Sequence, residues 1–303
     1  MNYTSKQDKI LASVIALLSV ILIYLVVWVV RYADSPRVII QQPVIQKEDA
    51  ATLTLTATTT PAYIEPSIAT ATIEIKPPVM YEYIEVTDGC GVHFAGACIN
   101  VRSGPGINYP SMAKLRNGIV LKTSEKVIVD GRTWYKITFD EWVRYPERVS
   151  KDWYVAGDFV RPFMDQGIQQ LEKGETPTTT KSIIVDLSEQ KLYAYDKGVS
   201  FMTESVSTGI ASSPTPVGNF SIFKKMPSRY MQGPLPGVSE DVYDLPGVPY
   251  TMYFTNQGAA FHGAYWHDEF GHLHSHGCVN LPLDKARELY YWAELGTRVT
   301  VRE

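Results

Sequence analysis

An unbroken apolar run near the N-terminus constrains the fold of this chain more than any other feature of its sequence. Ile10–Val30 contains no charged residue. As a helix rising about 1.5 Å per residue, it would reach about 31 Å, which matches a bilayer core of about 30 Å. A cleaved signal peptide has a shorter apolar region and a small-residue cleavage site, whereas Val29-Val30-Arg31-Tyr32 stands here. We therefore expect an uncleaved transmembrane anchor over residues 10–30 after a cytoplasmic tail over residues 1–9, rather than a buried helix of a soluble core.

The charges that flank this run do not fix its orientation. Lys6 and Lys9 precede it, and Arg31 and Arg37 follow it. The excess of positive charge that marks a cytoplasmic end therefore nearly cancels. The short N-terminal tail favours an N-terminus inside the cell, with the rest of the chain outside the cytoplasmic membrane.

Two segments of biased composition divide the rest of the chain. Residues 41–80 are rich in Thr, Ala and Pro, and such a composition buries no core and tends to stay extended. We expect a Thr- and Pro-rich stalk over residues 31–82 and a second linker over residues 164–181. These segments leave one domain at residues 83–163 and another at residues 182–303.

The bulk composition is that of an ordinary globular protein. Charged residues make up 20% of the chain and hydrophobic residues 45%, and the net charge is -4. Proteins that bind nucleic acid usually present a clustered basic face. No nucleic-acid partner is predicted.

The chain has three cysteines, which are Cys90, Cys98 and Cys278. Outside the cytoplasm, an odd number of cysteines suggests one disulfide pair and one working thiol. Cys90 and Cys98 are close enough in sequence to bridge, and two reduced, buried thiols are the alternative. Cys278 stands far from both.

Residues 83–163 have the pattern of a small all-β domain. Short runs of β-forming residues, such as Ile119–Lys122 and Trp134–Ile137, are separated by turn signals such as Asp130-Gly131. Asn100–Gly106 resembles the signature of bacterial SH3-like domains, and Asp152–Ala156 resembles their closing aromatic strand.

That resemblance implies a small barrel that binds cell-wall peptides or packs on an adjacent catalytic domain. The insertion at Glu141–Lys151 is longer than the usual pattern. A spacer barrel without a ligand of its own is the alternative, because a fold does not determine a function.

Residues 182–303 have the pattern of a mainly-β domain with one helix. Ser182–Leu187 and Gln190–Tyr195 flank a Ser188-Glu189 turn and predict a hairpin. Further strands are predicted over Val206–Gly209 and Gly218–Ile222. A helix is predicted over Leu283–Leu295, with Asp284 as its N-terminal cap and Gly296 at its C-terminal end.

The chemistry-bearing stretch of this domain is Ser275–Asn280, which places His276 two residues before Cys278. A cysteine nucleophile needs a base that takes the thiol proton. His262 and His276 compete for that role, because residues two apart in a strand share a face and the spacing alone does not choose between them. The backbone N–H groups of Gly277 and Cys278 are the expected oxyanion donors.

The whole stretch from Ser182 to Val301 resembles the L,D-transpeptidase family. The matching motifs are Val185–Ser188 with Gln190–Tyr193, Ser207–Gly209 with Thr215–Phe220, His262-Gly263, and Ser275–Leu281. The resemblance implies a mainly-β chain: an SH3-like small barrel, then an L,D-transpeptidase-type β-sandwich with a short helix after the catalytic cysteine.

The resemblance also implies a reaction on peptidoglycan stem peptides outside the cytoplasmic membrane. The cysteine attacks the carbonyl of the third residue of a tetrapeptide, at an L-centre of a diamino acid. D-alanine leaves, and an amine from a second stem takes the acyl group to form a 3-3 crosslink. Relatives use other amines, no cofactor is expected, and carbapenem-type inhibitors are expected to acylate the cysteine.

Carried over residue by residue, the resemblance makes His262 the general base and leaves His276 to orient the turn or bind substrate. Asn280 stands where many relatives have arginine and another branch has asparagine. Ser275, Gly263 and Asn280 are candidates to bind substrate.

An irregular segment rich in Pro, Gly and aromatic residues covers residues 226–250. Such segments often form binding loops. Tyr250 and Tyr253 are candidates to contact the stem peptide, and core packing is the alternative, equally favoured for Tyr253.

A metal site is the rival interpretation of the histidines. His272, His274 and His276 alternate in sequence and would share one face of a strand. No further ligand spacing completes such a site, so no metal is predicted.

Three other functions compete with transpeptidation. In cell-wall cysteine peptidases the nucleophile precedes its histidine, whereas His262 precedes Cys278 here. An L,D-carboxypeptidase would use the same fold with water in place of the amine. A wall-binding protein with a decayed site is disfavoured, because both histidines and the cysteine are intact.

Overall fold

The structure is a computed structural model that describes residues 77–175, 177–234 and 241–303. The predicted anchor at residues 10–30 and nearly all of the predicted stalk lie outside these ranges. Within them, no helix is both long and apolar enough to cross a membrane. All the described residues fall in one structural unit. Strands make up most of its regular secondary structure, which confirms the prediction of a mainly-β fold.

Seven strands in the N-terminal part form one sheet. In chain order they are β1 Tyr81–Val86, β2 Ile99–Arg102, β3 Ser111–Leu115, β4 Val120–Val129, β5 Arg132–Ile137, β6 Trp153–Ala156 and β7 Val160–Asp165. Three 3-10 helices accompany them, at Val92–Phe94, Pro146–Val149 and Gly157–Phe159. The strand order is β3-β2-β6-β5-β4-β1-β7. The sheet extends slightly beyond both ends of the domain predicted over residues 83–163, and its resemblance to SH3-like domains stays a prediction.

The β4–β5 hairpin follows directly from its turn residues. Asp130 and Gly131 have positive φ values of 51° and 76°, which the mirror-image turn favoured by Asp-Gly requires. Val129 pairs with Arg132 across the turn. The two-residue turn therefore sets the register of this hairpin.

The C-terminal part contains two five-stranded sheets and one helix. In chain order its elements are β8 Gln169–Gln170, β9 Lys181–Asp186, β10 Lys191–Asp196, β11 Val199–Ser205, β12 Gly218–Ser221, β13 Lys224–Gln232, β14 Asp244–Tyr253, β15 Ala260–Gly263, β16 Val279–Leu281, α1 Leu283–Trp292 and β17 Arg298–Arg302. One sheet has the order β11-β10-β9-β17-β12 and the other the order β16-β15-β14-β13-β8. The hairpin predicted from Ser182 to Tyr195 is confirmed, because β9 pairs with β10 in antiparallel register.

One hydrophobic core joins the two sheets and α1. Val185 from β9, Met252 from β14, Phe261 from β15 and Leu289 from α1 are all buried in it. Burial of such apolar side chains is the main favourable term in folding. The core therefore fixes β15, the strand that carries His262, between buried neighbours.

Three elements differ from the sequence-based prediction. The strand expected over Val206–Gly209 consists of isolated bridges that join Ser207 to Asn280 and Gly209 to Ser275. The linker expected over residues 164–181 contains β8, which pairs with β13. α1 starts at Leu283 as predicted, but it ends at Trp292 rather than Leu295.

The start of α1 has a different cap from the one predicted. Pro282 is at the N-cap position and makes no side-chain cap hydrogen bond, whereas Asp284 lies in the first turn. A carboxylate in the first turn still interacts favourably with the positive end of the helix dipole.

The N-terminal sheet and the C-terminal sandwich share a second core. Val248 of β14 and Tyr265, which follows β15, are buried among N-terminal side chains such as Ile84 and Leu121. Gly247 has a φ of 63°, and a Cβ there would overlap the Val120 carbonyl oxygen. The backbones of the two domains therefore touch at Gly247.

Candidate active site

The parallel pair of β15 and β16 brings Cys278 close to the strand that carries His262. His262 pairs with Asn280 in this register, and Cys278 directly precedes β16. Val279 pairs with Phe261 in the same parallel register, and the thiol accepts a hydrogen bond from the Ala260 N–H. The cysteine therefore lies next to the start of β15, the strand that carries His262 two residues further on.

The hydrogen bonding of His262 defines its free nitrogen. Its Nδ1 lies 3.2 Å from the Gly263 carbonyl oxygen. A carbonyl oxygen only accepts, so Nδ1 carries the proton and Nε2 is left with its lone pair. The side chain is 2% exposed, and burial lowers its pKa to about 4. The imidazole is therefore a neutral group that can take a proton at Nε2.

The Cys278 thiol is the free thiol of the described residues, and it is half-buried. Burial raises its pKa to about 11, and a hydrogen bond from the Ala260 N–H opposes that shift. Its Sγ lies 3.7 Å from the Gly258 carbonyl oxygen. At neutral pH the resting site therefore holds a neutral thiol beside a neutral imidazole.

Ser275 shapes the turn that presents the cysteine. Its hydroxyl donates to the Cys278 carbonyl oxygen at 2.5 Å and accepts from the Gly277 N–H at 3.2 Å. Gly277 has a φ of 108°, a backbone conformation that favours glycine. Ser275, which was expected to bind substrate, is buried, and its hydroxyl stabilises this turn.

The expected oxyanion donors are therefore not equivalent. Gly277, expected to offer a free N–H, already donates to the Ser275 hydroxyl. Among the described residues, the Cys278 N–H has no paired acceptor. It is the available donor of the turn.

His276 has partners of its own. Its Nε2 lies 2.7 Å from Asp241 Oδ2, and its ring stacks on Tyr243 with the centroids 5.9 Å apart. The carboxylate occupies Nε2, so only the other ring nitrogen, Nδ1, could take a proton from a thiol. The two histidines that competed for the role of base thus have different surroundings.

His267 is a residue of the site that the sequence reasoning missed. Asn280 Nδ2 donates to His267 Nε2 at 3.0 Å, and both side chains are buried. Burial, followed by the nearby His274 and His262, lowers the pKa of His267 to about 4. His267 Nδ1 and Asn280 Oδ1 have no hydrogen-bond partner among the described residues. Asn280 is thus held against a neutral histidine beside His262.

The two tyrosines that were candidates to contact the stem peptide have different surroundings. Tyr250 is buried; its hydroxyl accepts from Arg287 Nε at 3.1 Å, and its ring packs on Tyr290. It lies in the core, so its expected role in substrate binding is not supported. Burial raises the pKa of Tyr253 to about 12, and the nearby Cys278 contributes to that shift. Tyr253 therefore stays a candidate to contact the stem peptide.

Among the remaining cysteines and histidines, His274 packs on His267 with the ring centroids 4.1 Å apart. Cys90 and Cys98 form a disulfide bond with an S–S distance of 2.03 Å. His272 and His274 are exposed and lie outside any strand, so the alternating face that a metal site would need does not form. No group of three or more potential ligands in the described ranges is arranged to hold a metal ion.

Residues 180–301 match the family of L,D-transpeptidase catalytic domains known as YkuD. This match covers almost the same residues as the resemblance in the sequence and confirms it. No curated protein matches the chain significantly.

Solved structures of L,D-transpeptidases are similar to part of the chain. A cysteine-to-serine mutant of the Enterococcus faecium enzyme is 29% identical, with a TM-score of 0.37, over 41% of this chain and 50% of that chain. An enzyme from Mycobacterium smegmatis is 20% identical, with a TM-score of 0.39, over 58% and 93%. An L,D-transpeptidase in complex with imipenem is 21% identical, with a TM-score of 0.39, over 59% and 95%. The chain thus spans about half the length of the Enterococcus protein.

Proposed function

We propose that this protein is a membrane-anchored peptidoglycan L,D-transpeptidase with Cys278 as its nucleophile and His262 as its general base. One observation carries the assignment. Cys278 directly precedes β16, which pairs with the strand of His262, and the bond from His262 Nδ1 to Gly263 leaves Nε2 as a proton acceptor. A nucleophile beside an oriented base is the arrangement that acyl transfer needs.

In the first half-reaction, the stem peptide is cleaved after its third residue. The thiol proton moves to His262 Nε2 while Sγ bonds to the carbonyl carbon, and the carbonyl π electrons move to its oxygen. The Cys278 N–H donates to that oxyanion. When the intermediate collapses, the C–N bond breaks, His262 returns the proton to the leaving amine, and D-alanine departs from a thioester.

In the second half-reaction, an amine of another stem attacks the thioester carbonyl. His262 takes a proton from that amine, the C–S bond breaks, and the proton returns to the Cys278 sulfur. The product is an amide between two stems, a 3-3 crosslink. A water molecule in place of the amine would make the enzyme an L,D-carboxypeptidase, the second candidate function.

The location of the site belongs to the same proposal. Stem peptides lie outside the cytoplasmic membrane, so the catalytic domain is placed on the cell-wall side. Residues 10–30 are the single-pass anchor, residues 31–82 are the stalk, and residues 83–163 are an SH3-like domain. The apolar length of the anchor supports this arrangement.

The test follows the products of the full chain in detergent by mass spectrometry, with a disaccharide-tetrapeptide dimer as substrate. We expect release of D-alanine with a crosslinked product, and loss of both in Cys278→Ala. A carbapenem should add its mass to the wild type and not to Cys278→Ala. Tripeptide without crosslinks would favour the carboxypeptidase. Full activity in Cys278→Ala would refute the assignment of the nucleophile, and binding without turnover would indicate a decayed site.

A further inference from the structure

The end of the β13–β14 hairpin contacts the catalytic turn. We call residues 229–234 and 241–244 the arm. On the arm, Asp241 is paired with His276 at 2.7 Å, and Tyr243 stacks on the same imidazole. His276 lies two residues before Cys278 in the catalytic turn. The arm therefore contacts the turn that presents Cys278.

One arginine of the N-terminal domain forms hydrogen bonds with both sides of the arm. Arg148 Nη1 donates to the Tyr243 carbonyl oxygen at 3.3 Å and to Asp244 Oδ1 at 3.1 Å. Its Nη2 donates to the Gly233 carbonyl oxygen at 3.3 Å. Gly233 directly follows β13, Tyr243 directly precedes β14, and Asp244 is the first residue of β14. A planar guanidinium makes several bonds in a fixed geometry, which an ammonium group cannot reproduce.

Tyr145 adds bonds to the end of β13 and to the residues that follow it. Its hydroxyl donates to the Pro234 carbonyl oxygen at 3.1 Å. Its backbone N–H donates to Gln232 Oε1 at 2.9 Å. Both Tyr145 and Arg148 belong to the insertion at Glu141–Lys151 that the sequence singled out.

A buried ion pair fixes the base of the arm. Glu141 pairs with Arg229, and the two side chains are only 9% and 17% exposed. Glu141 also accepts the Tyr230 N–H at 2.7 Å, and Arg229 donates to the Trp142 carbonyl oxygen at 2.6 Å. A buried charge that loses its partner is strongly unfavourable. This ion pair and its hydrogen bonds therefore fix the position of the arm relative to the insertion at Glu141–Lys151.

We propose that Arg148, Tyr145 and Glu141 of the N-terminal domain are positioning residues of the active site, which set the geometry of the arm and hence of the stem-peptide cleft. This inference rests on the proposed function for its substrate. They act through Tyr243 and Asp241 and do not touch the reacting atoms. They are far in sequence from the catalytic motif, and the catalytic domain alone does not contain them.

The test compares Arg148→Met and Arg148→Lys with a matched control, Arg132→Met. Arg132 forms an ion pair with Asp158 within the N-terminal domain. We expect Arg148→Met to lower kcat/KM for D-alanine release at least tenfold, Arg148→Lys to fall between it and the wild type, and Arg132→Met to stay within twofold. Alkylation of Cys278 by iodoacetamide should change less than twofold in all three, because the small reagent needs no cleft. Wild-type kcat/KM in Arg148→Met would overturn the inference.

Two further measurements keep the outcome decisive. If Arg148→Met fails to fold, Tyr145→Phe removes a single hydroxyl and should lower kcat/KM severalfold, and an unchanged value would overturn the inference. The ring-proton NMR signals of His276 should shift in Arg148→Met and not in Arg132→Met, because the Tyr243 stack is displaced. This second readout needs no substrate. If the wild type released no D-alanine, the proposed function would be refuted. In that case the His276 signals would still test the inference, and unchanged signals in Arg148→Met would overturn it.

Discussion

At the scale of single residues, the resting cysteine and its proposed base are both neutral. Burial raises the pKa of the Cys278 thiol to about 11 and lowers that of His262 to about 4. At a pH between these two pKa values the proton therefore stays on sulfur, and it moves to His262 only as the thiol attacks the substrate carbonyl. His262 acts as a general base in the reaction, not as the permanent partner of a thiolate.

This state predicts the pH dependence of thiol reactivity. Since the thiolate is the reactive form and the thiol pKa is raised, the rate of alkylation by iodoacetamide should rise about tenfold per pH unit from pH 6 to pH 9. The rate is measured by mass spectrometry on the intact, unreduced chain. Cys278→Ala is the control and should take up no label, because Cys90 and Cys98 are bridged. A plateau below pH 8 would contradict the prediction, since it would reveal a thiolate–imidazolium pair.

The sequence identified the proposed nucleophile and base but not the polar residues that contact the site. Cys278 and His262 are found because a cysteine turn and a histidine on paired strands carry a recognisable motif. His267 and Asp241 are not found, since each reaches the site from a loop or hairpin end, where periodicity carries no information. His267 follows Trp266 only five residues after His262, and that proximity was the one available signal.

At the scale of elements, a lysine from a neighbouring strand closes α1. Lys225 of β13 is buried and donates to the carbonyl oxygens of Tyr290 at 2.7 Å and Ala293 at 2.5 Å. The last carbonyl groups of a helix lack intrahelical partners, and cations stabilise that end. Gly296, which the sequence suggested as the end, has a φ of 88° three residues after Ala293. The helix end was mispredicted because its cap comes from a strand that is distant in sequence.

Lys225→Met should therefore destabilise the protein. The variant keeps an apolar chain of similar length and leaves the two carbonyl groups without their donor, at a cost of about 1–3 kcal/mol. Urea unfolding followed by circular dichroism measures the change. Lys285→Met is the matched control on the same helix, where Lys285 pairs with Glu288 at the surface, and it should cost much less because exposed ion pairs contribute little to stability. Equal effects of the two substitutions would show that Lys225 does not stabilise the helix end.

At the scale of the whole molecule, the described domains are joined through a shared core and through ion pairs. Glu85 of β1 pairs with Arg287 of α1 and with Arg161 of β7. The Ser228 hydroxyl donates to the Val120 carbonyl oxygen at 2.6 Å. The sequence predicted two domains but not how they pack against each other. The residues on each side of the contact follow only the strand or helix pattern of their own segment. Contacts between distant segments leave no periodic signal.

Gly247 tests this packing directly, because its conformation and its surroundings impose separate costs. Any L-residue at its φ of 63° costs about 1–2 kcal/mol, and a methyl group there would also overlap the Val120 carbonyl oxygen. Gly131 has a φ of 76° with no atom within 4 Å of an added Cβ. Calorimetry of the full chain should therefore show a larger fall in Tm for Gly247→Ala than for Gly131→Ala. The excess should correspond to about 1–3 kcal/mol of overpacking. Equal shifts would mean that the two backbones do not meet at Val120, and the close packing of the domains would then have to be abandoned.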